Sequence, residues 1–187
     1  GYRETAPYDN GLKLHVAADA QLLTREEGVD QRRISVTPGA TLPFVTEDGH
    51  VFTANVSLRQ DLYNSNNVPI TGSTDTFSGN TTRTVPQAAL EWRLPLINQL
   101  SRGAWLVEPV LLGVAQPNGN NPEKISNEDA KLLELSDTNL FSLERMPGLD
   151  LVDSGSRVAY GMRSHYYDSS GVALDGLLGQ NYSFNSD

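Results

Sequence analysis

Three histidines, two serines beside a histidine and an aspartate, and a run of acids are the groups here that could do chemistry. Imidazoles hold metals when they converge, but His15, His50 and His165 lie far apart and follow no metal-site spacing. Each reads as a strand or turn residue. Asn127-Glu128-Asp129 offers oxygen ligands of the kind calcium prefers, yet lacks the spaced pattern of an EF-hand loop. Ser169 and Ser170 stand near His165 and Asp168, the residue types of a hydrolase. They fall in a hairpin turn, without the nucleophile elbow that would present an activated hydroxyl. The sequence carries no phosphate loop and no dinucleotide fingerprint. Asn55, Asn80 and Asn181 fit the glycosylation sequon, but so short a motif arises by chance, and two of them fall in strands. The expectation is a protein without catalysis, cofactor or metal.

Composition narrows the class. At 187 residues the chain suits one domain, residues 1–187. A net charge of −9 is the wrong sign for nucleic acid, which needs a basic stripe. It would also repel an anionic lipid surface unless the acids sit in loops. Many do. Residues 116–155 hold Glu123, Glu128, Asp129, Glu134, Asp137, Glu144, Asp150 and Asp153 against Lys124, Lys131 and Arg145, which reads as a solvated loop. No apolar run is long enough for a membrane-spanning helix, so any crossing must be made by strands. The chain has no cysteine, which excludes internal disulfides and thiolate metal sites. Gly1-Tyr2-Arg3-Glu4 lacks the apolar core of a signal peptide, so either a leader was removed or this is an internal piece.

Seven stretches alternate apolar and polar residues, a period of two that marks strands with one greasy and one wet face. They are 12–22, 34–44, 51–62, 85–96, 105–115, 158–166 and 172–184. In 51–62, Phe52, Ala54, Val56, Leu58 and Leu62 oppose Thr53, Asn55, Ser57, Arg59 and Asp61. In 85–96, Ala88, Leu90, Trp92, Leu94 and Leu96 oppose Gln87, Glu91 and Arg93. The stretch 105–115 is apolar on both faces apart from Glu108. Each is about the roughly 9–11 residues a tilted strand needs to cross a bilayer.

The connections alternate as well. Tight turns at Glu47-Asp48-Gly49 and Asp168-Ser169-Ser170-Gly171, and the short 98–103 connection, fall on one side. The polar 64–82 tract and the 116–155 loop fall on the other, with a middling 25–31 connection. Outer-membrane barrels sort short turns to the periplasm and long loops to the exterior. The fold class expected is therefore all-β: an antiparallel up-and-down transmembrane barrel segment of about seven to eight strands, an open part of a larger barrel, with long extracellular loops near 64–82 and 116–155. Proline cannot donate to a ladder, so Pro38, Pro86 and Pro109, all mid-strand, should weaken pairing locally. Two readings follow: a bulge that bends the wall, or a wall built to distort as a lipid passes. Pro95 is expected to end its strand.

From Trp105 onward the order of short motifs resembles the LPS-assembly protein LptD family, also called organic solvent tolerance proteins. Val107-Glu108-Pro109 is followed by Ser126-Asn127-Glu128-Asp129, Asp137-Thr138-Asn139-Leu140-Phe141 and Gly148-Leu149-Asp150. A hairpin comes next, from Tyr160-Gly161-Met162-Arg163 to Gly179-Gln180-Asn181-Tyr182-Ser183-Phe184. The distinctive part covers roughly the last 80 residues. Family members often carry Arg where this chain has Val110 and Leu151, so it reads as a divergent member.

What the resemblance implies is lipopolysaccharide transport into the outer leaflet of the outer membrane, with the plug lipoprotein LptE inside the barrel. Periplasmic LPS-bridge components would act through an N-terminal domain that has no counterpart here. Membrane lipids are the surroundings, and no nucleic acid or cofactor is involved. Even positions are then expected to meet lipid. Arg59, Gln87, Glu91, Arg93, Glu108, Arg163 and Asp175 are expected to face the lumen, with Asn139 and Asp150 bracing the long loop over it. A complete small barrel, porin-like or adhesin-like, is the alternative. It would pair its first and last strands and end on an aromatic residue, whereas this chain runs on to Asn185-Ser186-Asp187. A soluble β-sandwich and a barrel lipase are weaker alternatives.

Overall fold

The structure is a computed structural model that describes residues 1–5, 7–130, 139–146 and 148–184. The expectations for Lys131, Glu134, Asp137, Thr138 and the terminal Asn185-Ser186-Asp187 lie outside the described residues. Among the described residues nine strands form one antiparallel sheet: β1 (Tyr2–Glu4), β2 (Lys13–Leu23), β3 (Asp30–Val45), β4 (Val51–Pro69), β5 (Thr76–Arg93), β6 (Leu96–Leu100), β7 (Gly103–Ala115), β8 (Arg157–Asp168) and β9 (Ala173–Ser183). No helix occurs among the described residues. Neighbours in sequence are neighbours in the sheet, and β6 pairs with β7 beside β5. β1 and β9 are its two ends and share no ladder among the described residues, so the sheet is open.

All seven expected strands are present, with β1 added at the start and the 85–96 strand divided. The division has a simple cause. Arg93 pairs with Val110 and Leu96 with Val107, so the register is continuous across Leu94-Pro95. β6 is thus β5 resumed after a one-proline break, and the 98–103 connection shrinks to a turn at Ser101-Arg102. Leu94 N still donates to Pro109 O at 3.2 Å.

The larger correction concerns 64–82. It is not a loop: β4 runs on to Pro69 and β5 starts at Thr76, leaving a six-residue tip at 70–75. Polar residues on both faces hid the strands there. A bulge between Ser65 and Val68, with Asn67 at φ +60°, reverses the side-chain parity and turns Val68 inward.

The two faces of the sheet invert the usual order of a soluble protein. Buried positions on one face are Gln31, Arg33 and Ser35 of β3, Arg59, Asp61, Tyr63 and Ser65 of β4, and Arg83 of β5. The opposite face exposes Val16, Leu22, Ile34, Val36, Val56, Leu58, Leu62, Leu90, Met162 and Leu178. A soluble sheet would lose stability by exposing so continuous an apolar surface. A sheet in lipid gains by it. Along β4 the apolar band runs from Phe52 to Leu62, interrupted at Gln60, a span of ten residue steps. At about 3.3 Å per residue and a tilt of about 45°, that is roughly 23 Å, close to the ~25 Å band of outer-membrane barrels. Its short-turn end carries aromatics: Phe44 stacks on Phe52 at 4.9 Å, and Trp92 donates to His50 Nδ1 at 3.0 Å. Trp105, in the same region of β7, donates to Ser164 Oγ at 2.7 Å. Such residues suit the boundary between headgroups and hydrocarbon.

Apart from the end of β4 beyond its bulge, parity is uniform except in β7, where even residues turn inward. Glu108, Val110, Leu112 and Val114 therefore share the inner face with Arg59 and Arg83, while Trp105 and Leu111 face out. The prolines fall at specific points of the ladders. β3 and β4 pair at Val36–Gln60 and again at Gly39–Ser57, but not at Thr37 or Pro38. Pro109 pairs with Met162 on one side and faces the Leu94-Pro95 break on the other. Pro86 keeps its pairing with Leu58.

A charge placed on the apolar face tests this placement. Val56→Arg, near the middle of the band, is expected to cost about 2–4 kcal/mol of folding into a bilayer. Asn66→Arg, beyond the band on the same strand, should cost no more than ~1 kcal/mol. Equal losses in a lipid-vesicle folding titration would contradict the band drawn here.

Candidate functional site: a loop clamped to the polar face

The described parts of the 116–156 connection do not extend into solvent as an ordinary acidic loop would. They turn back over the polar face of β3, β4 and β5, and their acids are the reason. Asp150 is fully buried. Its Oδ1 accepts hydrogen bonds from Arg33 Nη1 at 2.6 Å, Gln31 Nε2 at 3.1 Å and Tyr63 OH at 3.2 Å. Its Oδ2 accepts from Glu128 N at 2.9 Å. The preceding carbonyls are held as well. Leu149 O accepts from Arg59 Nη2 and from Arg83 Nη2 at 2.6 Å, and Asp150 O accepts from Arg83 Nη1 at 2.6 Å.

The strand arginines are themselves positioned. Asp61, fully buried on β4, accepts from Arg59 Nε at 2.9 Å and Arg83 Nε at 2.7 Å. One carboxylate thus orients two guanidiniums so that their remaining N–H groups converge on one loop carbonyl. Arg83 also donates to Tyr63 OH at 3.0 Å. Arg33 binds three carboxylates: Asp150, Asp129 at 2.8 Å and Asp19 at 3.0 Å.

Asp129 closes the loop on itself. Its Oδ1 accepts from Leu149 N at 3.0 Å and Asp150 N at 2.9 Å. Burial pushes its carboxyl up, but those two backbone donors and the Arg33 guanidinium outweigh burial and hold it below the usual value. Gly148, at φ +87°, is required at this crossing, because a Cβ there would come within 2.5 Å of Asp129 O. Asn127 ties the same turn to the backbone of Ala130 in both directions. At the edge, Glu128 pairs with Arg25 at 2.7 Å.

A second attachment is apolar. Leu140 and Phe141 pack on Ala89, Val110, Leu112, Val114 and Ala159. Gly161 and Gly179, paired across β8 and β9, leave them room: a Cβ on Gly179 would meet Leu140 at 2.6 Å. This accounts for a β7 that is apolar on both faces. Its outer face meets the surroundings and its inner face seats the loop. A third tie is Asp153, which takes a two-pronged ion pair from Arg145 at 2.9 and 3.0 Å. Arg157 donates to the carbonyls of Ser142 and Leu143.

The remaining residues singled out in the sequence form a second polar group nearer the short turns. Glu108 is reached by Arg93 at 3.3 Å and Arg163 at 3.6 Å, and Arg93 also pairs with Glu91 at 2.9 Å. Gln87 donates to Gln116 at 3.0 Å. Asp175 pairs with His165 and is otherwise exposed. Asn139 is buried at the apolar seat, where its carbonyl accepts from Ser142 N at 3.1 Å. The solvated-loop reading of the acids fails for Asp129, Asp150 and Asp153, which strand and loop arginines neutralise. Sequence reasoning missed Arg33, Tyr63 and Arg83. Arg33 and Arg83 stand just before the starts assigned to their strands, and continuing each alternation backward would have put them on the polar face.

The LPS transport system D (LptD) family model matches residues 1–187. The chain belongs to the LptD family. None of the curated proteins matches it. LptD proteins are non-catalytic transport barrels of the outer membrane that assemble lipopolysaccharide there, and that is the function of this chain's family. The motif order noted in the sequence now has a physical content. Glu128-Asp129 and Gly148-Leu149-Asp150 meet in one hydrogen-bonded knot, and Asn139-Leu140-Phe141 fills the glycine seat.

Removing one member of a buried charge network leaves its partners uncompensated. Asp61→Ala is therefore expected to cost about 3–5 kcal/mol and to free the loop to proteases. A loop as protected as in the parent would mean Asp61 is not the organiser. The Asp129 shift gives a pH signature. A lowered folded value means its contribution is complete above the ordinary 3.8 and is lost as pH falls through the folded value. Loop protection should therefore decline below about pH 4, and Asp129→Asn should flatten that decline in a pH-stepped proteolysis series.

Proposed function

We propose that this sheet is a sector of the wall of a lipopolysaccharide-exporting barrel, with the polar face toward the lumen and the long connections outside the cell. The observation that carries this reading is the inversion of the two faces together with a connection folded onto the polar one. Even positions, β7 excepted, meet lipid. Arg59, Gln87, Glu91, Arg93, Glu108, Arg163 and Asp175 line the lumen, where they meet the polar headgroup in transit or the plug lipoprotein LptE. Asp150, with Asn139 at the apolar seat, braces the 116–156 loop over the opening. The interrupted ladders at Pro38 and Pro109 are points where the wall can distort, and Pro86 adds a missing donor on the far side of β4, opposite Leu58. Lipopolysaccharide arrives from periplasmic bridge components, and no step here needs a nucleotide or a cofactor.

The chain itself has no cysteine, which makes its sidedness easy to read. Ser73→Cys in the β4–β5 tip should react with a membrane-impermeant maleimide on intact cells. Asp48→Cys in the β3–β4 turn should react only after the outer membrane is opened. The reverse pattern would invert the assignment of the two ends. Photocrosslinkers at Gln87 and Asp175 should capture lipopolysaccharide or the plug, whereas one at Val56 should capture neither the plug nor a substrate in transit. Plug crosslinks from Val56 would overturn the assignment of faces.

A further inference from the structure

Two adjacent arginines on β3 have opposite fates. Arg33 faces inward and is matched by three carboxylates. Arg32 faces outward, is exposed, and its guanidinium has no hydrogen bond or ion pair among the described residues. Its position in the sheet makes this notable. On the outward side of β3, Phe44, Leu42, Ala40, Pro38, Val36 and Ile34 succeed one another, and Arg32 follows directly. It therefore stands one step beyond the apolar band, at the depth where hydrocarbon gives way to headgroups.

The same row of the sheet supplies neighbours. Leu22, Arg32, Asn64 and Asn80 are cross-strand partners in sequence. Asn64 Nδ2 donates to Asn80 Oδ1 at 2.8 Å, which leaves Asn80 amide hydrogens and the whole Arg32 fork available. One row nearer the membrane lie Ala20, Ile34, Leu62 and Thr82. Leu22, Arg32, Ile34, Leu62, Asn64 and Asn80 line one open cleft on this face. The carboxylate on the same face of β3, Asp30, accepts from Arg25 N at 2.8 Å and makes no ion pair with Arg32. The cleft thus has donors at its top and an aliphatic floor that continues into the band.

We propose that this cleft binds the phosphorylated headgroup of a membrane lipid from outside the barrel, with Arg32 and the Asn80 amide on the phosphate and an acyl chain along Leu22, Ile34 and Leu62. The site lies on the opposite face of the wall from the lumen, so it holds a lipid of the surrounding leaflet and not one in transit. A guanidinium suits this task because its planar fork matches phosphate oxygens two at a time. In a chain of net charge −9, an outward arginine at the edge of the apolar band with no carboxylate partner among the described residues leaves its charge available to an anion. The proposal rests on the reading that the apolar band meets lipid and that the long connections lie outside the cell.

The test uses the full-length protein in detergent and native mass spectrometry, with phosphatidic acid and phosphatidylcholine of identical acyl chains as probes. Phosphatidic acid is expected to be retained preferentially. Arg32→Gln should reduce its retention about tenfold, the scale of one charge-assisted contact, to the level of phosphatidylcholine. Arg32→Lys should restore part of it, and Asn80→Asp should reduce it as Arg32→Gln does. Arg102→Gln, in the turn at the other end, should change nothing. Equal retention of the two lipids, an unaffected Arg32→Gln, or displacement by millimolar inorganic phosphate would each overturn the proposal. Sidedness is read separately, by labelling Arg32→Cys on intact cells. Labelling only after permeabilisation would refute the orientation while leaving a lipid site at the other rim, so the two failures are distinguishable.

Discussion

A carboxylate buried among guanidiniums is tolerable only where most of the donors and acceptors around it are matched, and the geometry of this sheet follows from how that is done. Asp61 occupies one edge each of Arg59 and Arg83. A guanidinium has five N–H donors, so a single carboxylate leaves most of them unmatched. The Leu149 and Asp150 carbonyls and the Asp150 carboxylate supply the missing acceptors. The loop is therefore a structural component of the wall: it covers the strand cations from water and supplies the acceptors that water would otherwise provide. Conversely, the loop could not fold alone, because its central acid is neutralised by strands more than a hundred residues earlier.

The lipid environment sets the complementary constraint. Hydrocarbon rewards apolar side chains outside and leaves the inside to whatever the protein can satisfy for itself. That explains why the network clusters at the end of the sheet where β3, β4 and β5 are longest. Nearer the short turns the inner face is sparser, with Glu108 shared between Arg93 and Arg163 at longer distances. In the proposed orientation, a tightly tied outer rim and a looser lumen face would suit a barrel that must keep its shape and still pass a lipid headgroup. β7 joins the two regimes. Its double apolar character serves lipid on one side and Leu140 and Phe141 on the other.

Much of the fold was legible in the chain because the bilayer writes a period of two into it. Phe52 to Leu62 alternate with a single exception at Gln60, and the strand they predict is there. The same mechanism explains where legibility ends. Beyond Leu62 the outer face meets water instead of lipid, so Asn64 and Asn66 replace the apolar residues while the ladder continues. Alternation disappears although the strand does not, and a polar tract such as 64–82 then looks like a loop. Leu94-Pro95 shows the opposite effect, where apolar residues persist through a break that only the absent proline donor explains.

The polar face was legible as a list and not as a site. Arg59 and Glu108 could be named from position alone, since a charge in a half-apolar strand must turn away from lipid, and Asp150 from its place in the Gly148-Leu149-Asp150 motif. Their partners could not. Which of eight loop acids meets which strand arginine depends on how a long connection folds back, and loop closure over such a length carries no signature in local sequence. Residue types and their period of two set most of the strands and faces, and the order of short motifs pointed to the family. The pairing of Asp150 with Arg33, the sharing of Asp61 and the exposure of Arg32 beside a neutralised Arg33 arose only when distant strands came together. Ion pairing is decided by distance in space, and sequence separation does not encode it.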